Sequence, residues 1–396
     1  MTQVPVDHYI EILNKPTTDT DDVSNILTLS GGGTGATSFS MGAVGYLVKH
    51  GLFDQYDTIN AVSGSTVLLT LLEPTYALGR MKEPDWYNKY IRNVMYSLMK
   101  QRLAAKMIVK YMNPINWFRN PADVLATVFA PLWDTLLKDY NTSFVGYTGR
   151  KFLYNYIDVD TWHISTDHSD LYNPETGERV PNWYIVRMWR CCLPFSYGNY
   201  RRSMDAGFID NNALYTMLDL YKFEKSMTVT TEVDLYPSPI VRKEVSSFWA
   251  LVQFIGSAII DWSTIPANKL NIHLSTTILG ILKRNGTDIR IAYPEWNPEL
   301  YAHPLDLKAQ IYNGLLFCDE PVARITENLG YVAMHRALGH RETVPVSELP
   351  NPEYPLDASV RPHIERFKMR SVWTYIALDV WEASWKPMLQ SMMFWK

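Results

Sequence analysis

The sequence predicts an α/β fold with a mainly parallel central sheet, and three observations predict it. Short apolar runs alternate with segments of helical apolar spacing from residue 25 to residue 73. The first two runs each end in a turn of small residues that opens a helix, the order expected when helices cover the faces of a parallel sheet. Further apolar runs at residues 270–274 and 289–293 read as later strands, and helices dominate after Pro321.

Residues 1–24, with Pro16-Thr17-Thr18-Asp19-Thr20-Asp21-Asp22, read as a polar arm with little apolar surface to pack. Asn25-Ile26-Leu27-Thr28-Leu29 is bounded by polar residues and glycine, so it reads as a buried strand. From Ser38 to His50, Phe39, Met41, Val44, Leu47 and Val48 recur at helical spacing, and Gly51 stops that helix. Tyr56-Asp57-Thr58-Ile59-Asn60-Ala61-Val62 reads as the second strand, and a second helix starts at Thr66. Residues 82–156 are read as a helical insertion within one domain spanning residues 25–345, followed by a C-terminal helical segment at 346–396. No internal repeat or low-complexity tract interrupts this plan.

The chemistry sits in the turns. In Leu29-Ser30-Gly31-Gly32-Gly33-Thr34-Gly35-Ala36, glycines without a Cβ let an anion approach backbone N–H groups where a helix begins. A phosphate cradle or a plain turn would use the same glycines, but the Lys-Ser/Thr of a P-loop and the spacing of a dinucleotide site are both missing. Ala61-Val62-Ser63-Gly64-Ser65 is a relaxed nucleophile elbow, with Ala61 and Ser65 in the two glycine positions of G-x-S-x-G. A helix-capping serine is the structural alternative for Ser63. Far downstream, Asp205-Ala206-Gly207 offers a carboxylate on a small-residue turn, either as an ordinary turn residue or as the base a serine nucleophile needs.

In this order, Ser30-Gly31-Gly32-Gly33, Ser63-Gly64-Ser65-Thr66 and Asp205-Ala206-Gly207 resemble the patatin-like acyl hydrolases, most closely the cytosolic phospholipase A branch. The resemblance covers residues 26–72 and 186–214 and implies a patatin-like three-layer fold. It also implies a Ser-Asp dyad without a triad histidine: Ser63 as nucleophile, Asp205 as base, and the backbone of Gly32 and Gly33 as oxyanion hole. Cys191-Cys192-Leu193-Pro194 stands where the family carries a small-residue and proline segment, and Asn212 stands where it often carries Asn. One departure concerns the substrate: the family usually has Arg or Lys two positions after the glycine triplet, where this chain has Gly35. Arg187, Arg190, Arg201 and Arg202 are the nearby alternatives for that charge.

Other chemistries find less support. His163 and His168, like His335 and His340, are five positions apart, which does not place two side chains on one helix face, and H-E-x-x-H is absent. No cysteine spacing suits zinc, so neither a catalytic metal nor another cofactor is expected. With 396 residues, 47% of them apolar, the chain can bury a sizeable core, and a net charge of −4 gives no overall pull toward nucleic acid. Three cysteines make no disulfide framework and no cleavable apolar segment opens the chain, so a cytoplasmic location is expected and the Asn-x-Ser/Thr sequences at Asn141 and Asn285 are expected to be unused.

No apolar stretch is long enough to span a bilayer; the best, residues 248–260, is short and interrupted by Gln253. Two segments suit a membrane surface or a partner as well as a core. Residues 82–119 interleave Trp86, Tyr90, Val94, Leu98 and Ile108 with Lys89, Arg92, Lys100, Lys106 and Lys110, the pattern of a basic amphipathic helix. Near the C-terminus, Trp373, Trp381, Trp385, Met388, Met392 and Met393 form an apolar stripe, with Pro387 ending its first helix. The resemblance implies hydrolysis of a phospholipid or other lipid ester, and these two segments add an expectation of peripheral membrane contact. The competing expectations are a patatin-like module that binds a membrane or a protein partner without hydrolysis, and an acyltransferase using the same dyad.

Overall fold

The structure, a computed structural model, describes residues 24–100, 106, 110, 113–118, 150–158, 163–167, 196–197, 202–208, 210–214, 223–231, 278, 280, 286–301, 307, 310, 319–369 and 381. The strands are β1 (Ser24–Leu29), β2 (Thr58–Val62), β3 (Lys151–Asp158), β4 (His163–Asp167), β5 (Ser196–Tyr197), β6 (Arg202–Asp205), β7 (Phe223–Val229) and β8 (Asp288–Ala292). The longer helices are α1 (Gly33–Lys49), α2 (Ser65–Ala77), α3 (Asn93–Lys100), α4 (Glu320–Ala337) and α5 (Arg361–Met369). Among the described residues the strands form one sheet in the order β5-β6-β3-β2-β1-β7-β8, with β4 also paired to β3. The five strands from β3 to β8 in that order run parallel, while β4 and β6 lie antiparallel to β3. This is an α/β fold with a mainly parallel sheet.

Burial on both sheet faces explains the near-continuous apolar runs. Ile26, Leu27 and Leu29 of β1, Ile59, Ala61 and Val62 of β2, and Phe152, Leu153 and Tyr154 of β3 are all buried. Helix α1 is buried from Gly35 to Val44, so it is a central helix rather than a surface one. It crosses α4 backbone to backbone: a Cβ on Gly42 would stand 1.8 Å from the Glu327 carbonyl oxygen, and one on Gly330 would stand 1.9 Å from that of Phe39. Val344, Leu349, Val360 and Ile364, from the C-terminal part of the chain, join the same core.

Two boundaries differ from expectation. Residues 151–156, at the end of the expected helical insertion, belong to β3 instead; a run with both faces buried has no polar side to reveal its period, and Phe152, Tyr154, Tyr156 and Ile157 suit a strand. Helix α1 begins at Gly33 rather than Ser38, because the small residues after the glycine triplet are themselves helical.

From Tyr87 to Leu98 the basic amphipathic segment packs on the core. Tyr87 and Ile91, in a π-helical turn at Tyr87–Arg92, and Met95 and Leu98 of α3 are buried, while Lys89 pairs with Glu83 and Lys100 with Glu320. The expected strand at 270–274, the apolar run at 248–260, Cys191, Cys192 and the arm before Ser24 lie outside the described residues, as does the C-terminal stripe apart from Trp381. Among the described residues no helix is long and apolar enough to cross a membrane.

Candidate active site

The register of β3 brings the two key turns together. Strand β3 outruns β2, so Val62 is opposite Asn155, and Asp205 at the end of β6 is opposite the next residue, Tyr156. Because β4 holds the other edge of β3 over Tyr154–Asp158, β6 shares the edge occupied by β2 and runs down to meet its end. The last residue of β6 therefore arrives where the chain leaves β2 through Ser63.

Ser63 occupies the left-handed region with φ +52, an uncommon conformation for a residue with a Cβ and the signature of a sharp elbow. Two contacts brace the turn that follows: Thr66 donates its hydroxyl to the Ser63 carbonyl at 2.5 Å, and Thr37 donates to the Gly64 carbonyl at 2.8 Å. Ser63 Oγ donates to Asp205 Oδ2 at 2.6 Å, and the Gly207 N–H donates to Asp205 Oδ1 at 2.8 Å. Asp205 is only 8% exposed. Burial pushes its carboxyl up to about 6, and the hydrogen bonds from Ser63 and Gly207 limit the rise. The result is a serine hydroxyl held by a carboxylate of increased basicity.

The glycine turn lies against this pair. A Cβ on Gly31 would stand 2.8 Å from Ser63 Cβ and 2.3 Å from Asn211 Oδ1, so no larger residue fits beside the serine. Gly64 has the same constraint from the other side, since its Cβ would stand 2.2 Å from the Gly33 carbonyl oxygen. Gly32 and Gly33 have φ +127 and +62, backbone that side-chain-bearing residues avoid. Gly32 caps α1 with no side chain, and the N–H groups of Gly32 and Gly33 carry no hydrogen bond among the described residues. An uncapped helix start with free donors favours a negative charge.

A buried polar network fixes the turn. Ser65 donates to the Ser30 carbonyl at 2.6 Å, Thr231 Oγ1 to the Gly31 carbonyl at 3.0 Å, and the Thr231 N–H to Ser30 Oγ at 2.9 Å. Thr231 follows the end of β7, so three neighbouring parallel strands contribute from their C-terminal ends, the usual place for sites in such sheets. Sequence reasoning missed two neighbours. Thr231 carries no local signal, and Asn211, not Asn212, approaches Gly31 and Gly207; Asn212 instead accepts from Thr230 Oγ1 at 2.7 Å.

Gly35 is buried in the first turn of α1. Arg187, Arg190 and Arg201 lie outside the described residues, and for Arg202 only its backbone place in β6 is described. His163 starts β4 and His168 lies outside the described residues. His335 and His340 do meet, despite their spacing, because α4 ends between them. No family model matches the chain, and no curated protein matches its sequence.

Proposed function

We propose that this chain is a lipid acyl hydrolase of the patatin-like type, a phospholipase A or lysophospholipase that works through a serine acyl-enzyme. The observation that carries the reading is the 2.6 Å hydrogen bond from Ser63 Oγ to a buried carboxylate, made from a left-handed elbow. The lipid substrate and the finer three-layer assignment rest on the resemblance of the glycine, serine and aspartate turns to that family.

In this mechanism Asp205 accepts the Ser63 proton as Oγ bonds to the ester carbonyl carbon. The N–H groups of Gly32 and Gly33 hold the oxygen that becomes negative. Collapse of the tetrahedral intermediate breaks the ester C–O bond, and the leaving alcohol takes the proton from Asp205. Water then attacks the acyl-enzyme with Asp205 again as base, releasing the fatty acid and restoring Ser63. A carboxyl poised near 6 is ionised at neutral pH yet is a stronger base than an ordinary aspartate. Each oxyanion donor in such sites is worth roughly a hundredfold or more in rate. Peripheral membrane contact belongs to the same proposal, and Ile115 and Trp381, 72% and 48% exposed, are apolar side chains available for it.

A fluorophosphonate probe tests the reading directly. Stoichiometric labelling that is lost in Ser63→Ala, together with fatty-acid release from phospholipid vesicles, is the expected result. An unlabelled but folded protein that still binds the vesicles would point to the non-hydrolytic module instead.

A further inference from the structure

The other end of α1 gathers a second set of reactive side chains. Helix α4 ends at Ala337, Gly339 turns the backbone with φ +94, and His340 folds back so that its ring stacks on His335 at 4.7 Å between centroids. His335 Nε2 stands 3.8 Å from Glu342 Oε1, and His340 Nδ1 stands 3.4 Å from the same oxygen. One donor atom from each of the three residues lies within 4.8 Å of the others. Metal–ligand bonds of about 2.0–2.2 Å in a tetrahedral site place donors roughly 3.3–3.6 Å apart. The observed edges are close to that size, and His340 and Glu342, with side chains 47% and 66% exposed, are free to rotate and close the third.

His335 is the anchored member. It is buried, and its Nδ1 stands 3.0 Å from the Tyr46 hydroxyl in the last turns of α1. A hydroxyl both donates and accepts, so Tyr46 tolerates either imidazole tautomer, including the one that keeps its proton on Nδ1 and frees Nε2. Such an outer partner is what usually orients a metal-bound histidine. The Glu342 carbonyl oxygen, 3.1 Å from His335 Nε2, accepts its proton in the metal-free protein and is a further oxygen donor beside an ion.

We propose that His335, His340 and Glu342 bind a divalent transition-metal ion of the zinc class, clasping the loop after α4 back onto the last turn of that helix. Two imidazoles and one carboxylate suit such an ion better than magnesium or calcium, which prefer oxygen ligands throughout. The site lies at the end of α1 opposite Gly33 and takes no part in the ester chemistry.

Titration calorimetry of the metal-stripped full chain with Zn2+ tests this, with Co2+ absorption reporting the coordination geometry. One ion per chain is expected, with a tetrahedral Co2+ spectrum. His340→Ala, at an exposed position, is expected to lose both signals while keeping the circular dichroism of the native fold. Tyr46→Phe is expected to weaken binding by about tenfold or more. Absence of binding by the native chain, or equal affinity in His340→Ala, overturns the proposal.

Discussion

Two buried carboxylates are held in opposite ways. Glu327, 0% exposed, accepts from the Arg92 guanidinium, from the Tyr96 hydroxyl at 2.6 Å and from Asn351 Nδ2 at 2.6 Å. Burial works against the Arg92 charge, and the bonds to Glu327 more than restore it. Asp205 is almost as deeply buried, but its donors among the described residues are a serine hydroxyl and a backbone N–H, neither carrying a charge. A charged donor makes Glu327 a bracket between α3, α4 and the Pro350-Asn351 turn, which Arg92 also contacts. Partial compensation leaves Asp205 with basicity to spend. The difference shows that burial alone marks neither a structural nor a chemical carboxylate; the charge of the donors does.

That contrast can be broken from either side. The largest effect is expected at the chemical site: Ser63→Ala and Asp205→Asn should each lower ester hydrolysis on the order of 10⁴-fold or more, measured as fatty acid released per folded molecule. Next, Glu327→Ala leaves the Arg92 cation without its partner and should cost about 3–5 kcal/mol in urea unfolding. The activity of the remaining folded fraction should be unchanged.

The same comparison predicts a gain in stability. Because Asp205 has its folded-state pKa raised, folding is favoured while the group holds its proton, and that contribution is lost as pH rises from the ordinary carboxyl range through about 6. Asp205→Asn removes the penalty, so at neutral pH the inactive variant should be more stable by on the order of 1–3 kcal/mol. The advantage should shrink in unfolding curves recorded at progressively lower pH. Smallest is the pH effect on rate. kcat/KM should rise to a plateau with an apparent pKa near 6, and at pH 5 it should be about tenfold below that plateau. A flat profile down to that pH would separate the base from Asp205.

The site was more legible than the sheet around it. Three glycines, a serine between small residues and an aspartate before Ala-Gly are local patterns, and each is found on the turn where its pattern places it. The left-handed Ser63 is likewise the elbow that Ala61, Gly64 and Ser65 make room for. Strand β3 was hidden because a segment buried on both faces has no amphipathic period, and its pairing with β2 and β6 is decided only in the assembled sheet. For the same reason Asn211 was not separable from Asn212: adjacent identical residues differ only in which way the turn points them. Five positions separate His335 from His340, too many for one helix face, yet Gly339 ends the regular spacing and folds one ring onto the other.

The crossing of α1 and α4 limits how the molecule can move. A slide of one turn, about 5.4 Å, would carry Ser38 or Tyr46 into the space against the Glu327 carbonyl where only Gly42 fits. The reciprocal contact of Gly330 with the Phe39 carbonyl blocks the same slip from the other helix. Like a bolt seated in two notches, α1 is held along its own axis, and the N–H groups at its first turn stay fixed beside the Ser63-Gly64 turn.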